Sequence, residues 1–526
     1  MKDACRCPTA DGAFDVTFTR RGRSGTKERR RRRRGEIAAA CLLIVTTIVV
    51  SSPVVQALPT AMSMVINTSA GCGPIVTLTL GGTVNVTVDW GDGTTTTVTT
   101  PGEVDHSYAT EGAHPVTLTG SLTQFGSGQY GSSSPSCITQ VSSFGSLGIT
   151  SLSGAFNGDT VLQSVPSSLP PGVTDLSYMF FNAGSFSGDI SGWQTGTVTD
   201  MSRMFAYETT FNQPIGSWDT SHVTDMSGMF NLASSFNQPI GSWDTSSVTS
   251  MASMFSGIYP LGYWIPETFN QPLGSWDTSR VTNMNEMFTD DRSFNQPLGS
   301  WDTSHVTDMG AMFLDAQNFN QDLSHWNTGA VATMSEMFKN TGSFNQPLGS
   351  WDTSHVTDMG AMFLDAQNFN QDLSRWNTGA VAWMTEMFEG AASFDQSLGS
   401  WDVSQVHDMR SLFDLSGESV GSYDATLNGW ASRPEQHGVT LGAAGVQYSS
   451  AGAAARSQLI ESDGWVIIDA GPIAASVVTT SPAPSPGPTL ASTGSNVALW
   501  AVLGSLLLAV GCCFTFVSRR KLKPDR

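Results

Sequence analysis

The residues with the most chemical potential form two acidic rows. Asp219, Asp244, Asp277, Asp302, Asp352 and Asp402 each follow a tryptophan, and Asn327 and Asn377 stand in the same slot. Hard oxygen donors in a row are what calcium requires. Bare carboxylates stacked at the ~5 Å spacing of adjacent strands would otherwise repel one another. The Ser or Thr that follows and the tolerance of Asn favour a different use, in which each carboxylate accepts backbone N–H groups in an Asx turn. Calcium is the rival reading, although the GGxGxD spacing of calcium-binding β-solenoids is missing. The second row, Asp200, Asp225, Asp308, Asp358 and Asp408, is broken by Ser250, Asn283, Thr333 and Trp383. A variable, exposed position of that kind suits partner contact better than a metal, so these five are the candidate contact residues. Ser, His and Asp are abundant, but His222, His305 and His355 are copies of one position. A repeated residue is poor evidence for a unique nucleophilic site. With no HExxH, CxxC or phosphate loop in the chain, no enzyme, no resident metal and no cofactor is expected.

These rows exist because the chain repeats. Residues 294–343 and 344–393 are nearly the same fifty-residue block, and each block is two looser copies of a 25-residue unit. The unit's tryptophan falls at Trp193, Trp218, Trp243, Trp276, Trp301, Trp326, Trp351, Trp376 and Trp401. The interval from Trp243 to Trp276 is 33 because eight extra residues lie between Phe255 and Phe269, an insertion that leaves the phase intact. A fixed period of this length signals a solenoid whose coils contact mainly their neighbours. One unit carries Phe294, Leu298, Trp301, Val306, Met309, Met312 and Phe313 as its apolar set, and stacked rows of these residues make the core. Met309, Met312 and Phe313, at i, i+3 and i+4, predict a helical or 3₁₀ turn. Short extended segments are expected at LGSW and HVTDM, and Pro297 and Gly299 exclude a helix before Trp301.

The composition agrees with a turn-rich extracellular β protein: 526 residues, 40% hydrophobic, 13% charged, with 53 glycines. The formal charge of −20 conceals a partition, because Leu58 to Gly494 holds 8 basic against 39 acidic residues, a net of −31. Such a body repels nucleic acid and attracts cations or basic partners. Of seven cysteines only Cys72 and Cys137 fall in this body, and an even pair in an oxidising compartment reads as one disulfide, with two free thiols as the alternative.

The ends describe an exported protein. Arg29 to Arg34, the apolar run Ile37 to Val50, and Val55, Gln56 and Ala57 have the order of a secretory signal cut after Ala57; an uncleaved anchor is the alternative. At the other end a Pro/Ser spacer precedes Leu490, Ala491, Ser492, Thr493 and Gly494, an apolar stretch over 497–517, and a basic tail. This three-part ending resembles the cell-wall sorting signal of Gram-positive surface proteins in its LAxTG form. The resemblance implies a sortase that cuts between Thr493 and Gly494 and joins Thr493 to peptidoglycan. A permanently membrane-spanning C-terminus is the other reading.

Residues 58–142 alternate as strands do. Asp89, Trp90, Gly91, Asp92 and Gly93, then His106, Ser107, Tyr108 and Gly112, then Val116, Thr117 and Leu118, resemble the PKD family of Ig-like β-sandwiches. There Asp89 and Asp92 read as turn residues before calcium ligands, while Trp90 and Tyr108 fill the core. The motif FNQPLGSWDTSxVTDMxxMF resembles the BspA-type surface proteins, whose 25-residue units are grouped with leucine-rich repeats; here Met, Phe and Trp largely replace the leucines. Members are described as adhesins, which transfers as a class only.

The fold class expected is therefore mainly β: a right-handed, leucine-rich-repeat-like solenoid preceded by a small PKD-like sandwich and closed by a C-terminal cap. The segments are 1–57 (basic segment and signal), 58–142 (sandwich), 143–174 (degenerate first coils) and 175–413 (solenoid). A cap over 414–471, a linker over 472–489 and a sorting signal over 490–526 follow. The expected function is that of a wall-anchored adhesin of a Gram-positive cell surface. Its partners would be a sortase, peptidoglycan and an extracellular protein or glycan. The alternative is a passive stalk with recognition only in the PKD-like module.

Overall fold

A computed structural model describes residues 60–128, 136–184, 186–257, 267–433 and 436–474. The signal segment, the LASTG motif and the apolar stretch over 497–517 lie outside them, as do residues 258–266 of the insertion. Regular elements are mainly β with few helices. The N-terminal part is one open antiparallel sheet built from β1 (Met62–Asn67), β2 (Ile75–Asp89), β3 (Thr95–Val98), β4 (Gly102–Ser107), β5 (Ala113–Phe125) and β6 (Ile138–Ser143). The order is β3-β2-β5-β1-β6, with β4 on the first half of β2. Alternation sets the register: Met62, Met64 and Ile66 of β1 and Val116, Leu118 and Leu122 of β5 are buried while their neighbours are not. Cys72 and Cys137 are joined by a disulfide across 65 residues, tying the β1–β2 loop to the entry of β6.

The sheet passes directly into the repeats. Gln124 at the end of β5 pairs in parallel with Ser151, and the pairing continues through Asp175, Asp200, Asp225, Ser250, Asn283, Asp308, Thr333, Asp358 and Trp383 to Asp408. Each coil contributes one residue to this column. The insertion does not interrupt it, nor does it interrupt the aromatic columns: Trp243 stacks on Trp276 at 6.4 Å and Phe255 on Phe288 at 5.6 Å.

No helix forms at the Met-rich segment. Met312 N–H bonds to Met309 O and Leu314 N–H to Ala311 O, whereas Ala311, Phe313 and Asp315 donate to Ser335, Met337 and Lys339 of the next coil. Alternate amides therefore close local turns and cross between coils. A helix would consume all of them internally, so the chain of turns wins because it satisfies the stack. It requires left-handed backbone at Ala311 (φ 52°) and Asp315 (φ 58°), repeated at Ala361 and Asp365 in the next block. Met309, Met312 and Phe313 are nevertheless buried, as their spacing implies. LGSW likewise forms a turn, Trp301 N–H to Leu298 O, rather than an extended segment.

Three aromatic columns fill the interior. Tryptophans stack at 6.1 to 6.4 Å, as in Trp193 on Trp218 and Trp301 on Trp326. The Phe288, Phe313, Phe338 column runs at 5.7 Å, and Phe294, Phe319 and Phe344 make the third. A polar column holds one edge: the Asn295 side-chain oxygen accepts from Asn320 N–H and Gln321 Nε2, and Asn320 serves Asn345 and Gln346 in the same way. The C-terminal part continues the stack with α1 (Val420–Trp430), β7 (Thr440–Ala443), α2 (Ala453–Glu461) and β8 (Val466–Asp469). Leu441 of β7 pairs with Met409, and Trp430 of α1 donates to Leu398 O, the bond the repeat tryptophans make.

Candidate interaction surface

The apolar set of each coil is consumed by the core, so what faces outward is polar. In the first acidic row, Asp219, Asp244, Asp277, Asp302, Asp352 and Asp402 are exposed. Each accepts the N–H two residues on, for example Ser221 to Asp219 at 3.1 Å and Ser354 to Asp352 at 3.0 Å. Asn327 and Asn377 take the same bond from Gly329 and Gly379. The serine hydroxyl, then its N–H, holds the carboxyls of Asp219, Asp244, Asp302 and Asp352 below the usual range. These are Asx turns, and one ligand direction of each carboxylate is already occupied. Among the described residues no group of three or more His, Cys, Asp or Glu is arranged to hold a metal ion.

The histidines beside this row are also exposed. Ser221 Oγ lies 3.2 Å from His222 Nδ1 while donating to Asp219, and Ser354 lies 3.3 Å from His355. The carboxylate thus holds the serine and not the imidazole, the reverse of the order in which a base is oriented for nucleophilic attack.

The second row differs from the sequence expectation. Asp200, Asp225, Asp308, Asp358 and Asp408 are half-buried rather than exposed, because theirs is the position that pairs from coil to coil. Each again accepts an N–H two residues on: Ser202, Ser227, Gly310, Gly360 and Arg410. Burial raises the Asp200 carboxyl despite the Ser202 hydroxyl. For Asp408 burial is outweighed by the Arg410 guanidinium at 2.6 Å, and the group is lowered. The row can vary because the column is joined through backbone pairing, which Trp383 makes without a side-chain acceptor.

In the sheet, Asp89 accepts from Gly91 and Asp92 from both the N–H and the hydroxyl of Thr94. Asp92 also meets His106 Nε2 at 2.9 Å; Thr94 first and His106 second bring its carboxyl down to about 2. His106 stacks on Trp90 at 4.4 Å, and Tyr108 donates to Trp90 O. Sequence reasoning named these residues but not the Asp92–His106 contact, which depends on β4 returning beside β2.

Sequence reasoning missed several buried carboxylates. Asp159 and Glu208 are pushed up to about 7 and Glu418 to about 9, in each case chiefly by burial. Asp159 accepts from Ser136 and Ile138 where β6 meets the first coils, and Glu208 from Gly184. Their sole sequence signal is a break in the apolar and turn pattern, which does not separate an inward acid from an outward one.

Residues 150–261, 263–363 and 323–430 match the family described as Mycoplasma protein of unknown function, DUF285. The chain belongs to that family, and the overlapping matches follow its internal repetition. Membership is compatible with the likeness of the repeats to BspA-type surface proteins. No curated protein and no solved structure matches the chain.

Proposed function

We propose that this protein is a wall-anchored bacterial surface protein of the BspA type whose repeats act as an adhesive surface. In this reading residues 175–413 are a right-handed solenoid of leucine-rich-repeat kind, and 58–142 are a PKD-like module whose sheet runs into its first coils. The Pro/Ser linker and the sorting signal present the body at the cell surface, with Thr493 joined to peptidoglycan by a sortase. The observation that carries the reading is the division of each coil. The Phe, Trp and Met of the repeated apolar set are buried, while Asp219, Asp244, Asp277, Asp302, Asp352 and Asp402 are each held outward by their own turn, with Asn327 and Asn377 in the same slot, giving a long acidic face. Such a face favours multipoint contact with a basic or hydroxyl-rich partner.

A passive stalk is the second reading, and the engagement of both aspartate rows in their own backbone turns is what favours it. Replacing Asp219, Asp244, Asp302 and Asp352 together by Asn separates the two, since Asn already fills this slot at Asn327 and Asn377 without loss of the turn. Binding of the full chain to cells and matrix proteins across a salt series is the measurement. An adhesin loses affinity and salt dependence in the variant; a stalk shows no saturable binding in either form.

A further inference from the structure

The two fifty-residue blocks, 294–343 and 344–393, supply an internal control. All their differences fall in the second coil of each. Trp383 stands where the sister coil has Thr333, Thr385 where it has Ser335, and Glu389 where it has Lys339. Thr333 and Trp383 occupy the same place in the pairing column: Thr333 joins Asp308 to Asp358, and Trp383 joins Asp358 to Asp408. The coil therefore closes without an indole at this position. Every other described tryptophan is at most 4% exposed, whereas Trp383 is 49% exposed. An aromatic ring of this size on a polar face, unneeded by the fold, points to contact with something outside the chain.

The surroundings identify the chemistry of that contact. Asp358 lies one step back along the column and Asp408 one step forward. Asp408 is neutralised by Arg410 and bonded by Thr385, and the His407 ring lies 6.1 Å from the indole. Glu386, half-buried and next after Thr385, has left-handed backbone (φ 60°) and acts electrostatically on Arg410. Further along the coil, Glu389 feels the like charges of Glu386, Asp414 and Asp365. The exchange of lysine for glutamate between sister coils thus accompanies the arrival of the tryptophan and shifts the edge toward negative charge.

We propose that Trp383, with Asp358 and Glu386 beside it, is a docking site for the cationic side chains of a basic protein segment. The guanidinium or ammonium group stacks on the indole face while the carboxylates accept its N–H groups. A sugar ring also stacks on an exposed indole and its hydroxyls donate to carboxylates, but a neutral sugar gains no charge attraction from them. A basic segment gains from each of them. The site deepens the adhesive reading of the repeats and rests on it for its biological role.

The test titrates the full chain with a hexa-arginine peptide and, separately, with chitohexaose, at about 50 and about 500 mM NaCl, on either side of strong screening. Binding is read as protection of the exposed indole from acrylamide quenching and by calorimetry. Trp383→Thr restores the sister coil's residue, so its melting point should match the parent's. The expected result is protection by the peptide, lost in Trp383→Thr, with affinity weakened roughly fivefold. Asp358→Asn with Glu386→Gln keeps the turn that Asn283 makes elsewhere and should remove most of the salt dependence. Equal peptide affinity in parent and Trp383→Thr overturns the proposal. So does salt-insensitive protection by chitohexaose without protection by the peptide. If parent and Trp383→Thr bind cells equally, this site fails while the adhesive reading stands. If the parent binds no cell or matrix protein, that reading fails, and the peptide titration still decides the chemistry of Trp383.

Discussion

The indole N–H of Trp301 donates to the carbonyl of Leu273, 28 residues earlier, at 3.0 Å with both groups buried. The same bond runs from Trp326 to Leu298, Trp351 to Leu323 and Trp376 to Leu348. Each tryptophan therefore packs on the next coil's ring and ties its own coil to the one before. Neither leucine nor phenylalanine can do both. Trp326→Phe keeps the ring stack but removes one of the two bonds to Leu298 O, which Trp301 N–H still pairs, so the loss is that of one hydrogen bond, about 0.5–1.5 kcal/mol. Because repeat arrays couple mainly through neighbours, the loss should appear as a broadened or split melting transition and not only as a lower midpoint. Calorimetry on parent and variant decides it, and an unchanged single transition would show that the bond contributes nothing to coupling.

The period, the phase-keeping insertion and the identity of the core residues were legible in the sequence because apolar spacing reports burial directly. The conformation at Met309 to Phe313 was not. Its i, i+3, i+4 pattern is shared by a helix and by a chain of turns, and the choice rests on where the amides of Ala311, Phe313 and Asp315 find acceptors, in the next coil. The half-burial of the Asp200 and Asp358 row had the same cause, since column pairing is a property of the stack. Helix α1 was not foreseen either; its N-cap is Ser419, whose hydroxyl accepts from Ser422 N–H, and it buries Tyr423, Leu427 and Trp430. Helix α2 and strand β8 follow local propensity, since Ala453–Glu461 is free of Gly and Pro and Val466, Ile467 and Ile468 are β-branched.

The first acidic row makes a clean pair of variants. Asp352→Asn preserves the acceptor for Ser354 N–H and should change stability by less than about 0.5 kcal/mol, whereas Asp352→Ala removes it and should cost about 1 kcal/mol. Chemical denaturation of both variants, with and without calcium, reads the difference. A melting point that rises with calcium in the parent and not in Asp352→Asn would replace the Asx-turn account by a metal row.

Reduction of the Cys72–Cys137 bond should act locally. On the chain-entropy estimate a 65-residue closed loop is worth about 4 kcal/mol to the structure it closes, which here is the sheet of residues 60–143. Cys72→Ser with Cys137→Ser should therefore lower the protection of β1 and β6 amides in hydrogen exchange and leave the amides around Trp351 unchanged. Uniform loss across both regions would mean that sheet and repeats unfold as one cooperative unit.

The buried carboxylates predict an unusual pH profile. Asp159 and Glu208 stand at about 7 and Glu418 at about 9 in the folded chain, above the ordinary 3.8 of Asp and 4.5 of Glu. A raised acid contributes stability that is fully present below its unfolded pKa and is lost as pH rises through the folded value. The exposed Asx-turn carboxyls, held low, act in the opposite sense and weaken the fold only in stronger acid. The melting temperature should therefore be highest near pH 4 to 5 and fall from there to about pH 9, with Glu418 alone still contributing above about pH 7. Glu418→Gln removes the charge while keeping the shape. It should raise the melting temperature at about pH 9, by several degrees or on the order of 2 kcal/mol, and leave it nearly unchanged at about pH 5. An equal shift at both pH values would show that the substitution acts through packing, and a fall at about pH 9 would mean that the ionised carboxylate has a partner that glutamine cannot replace.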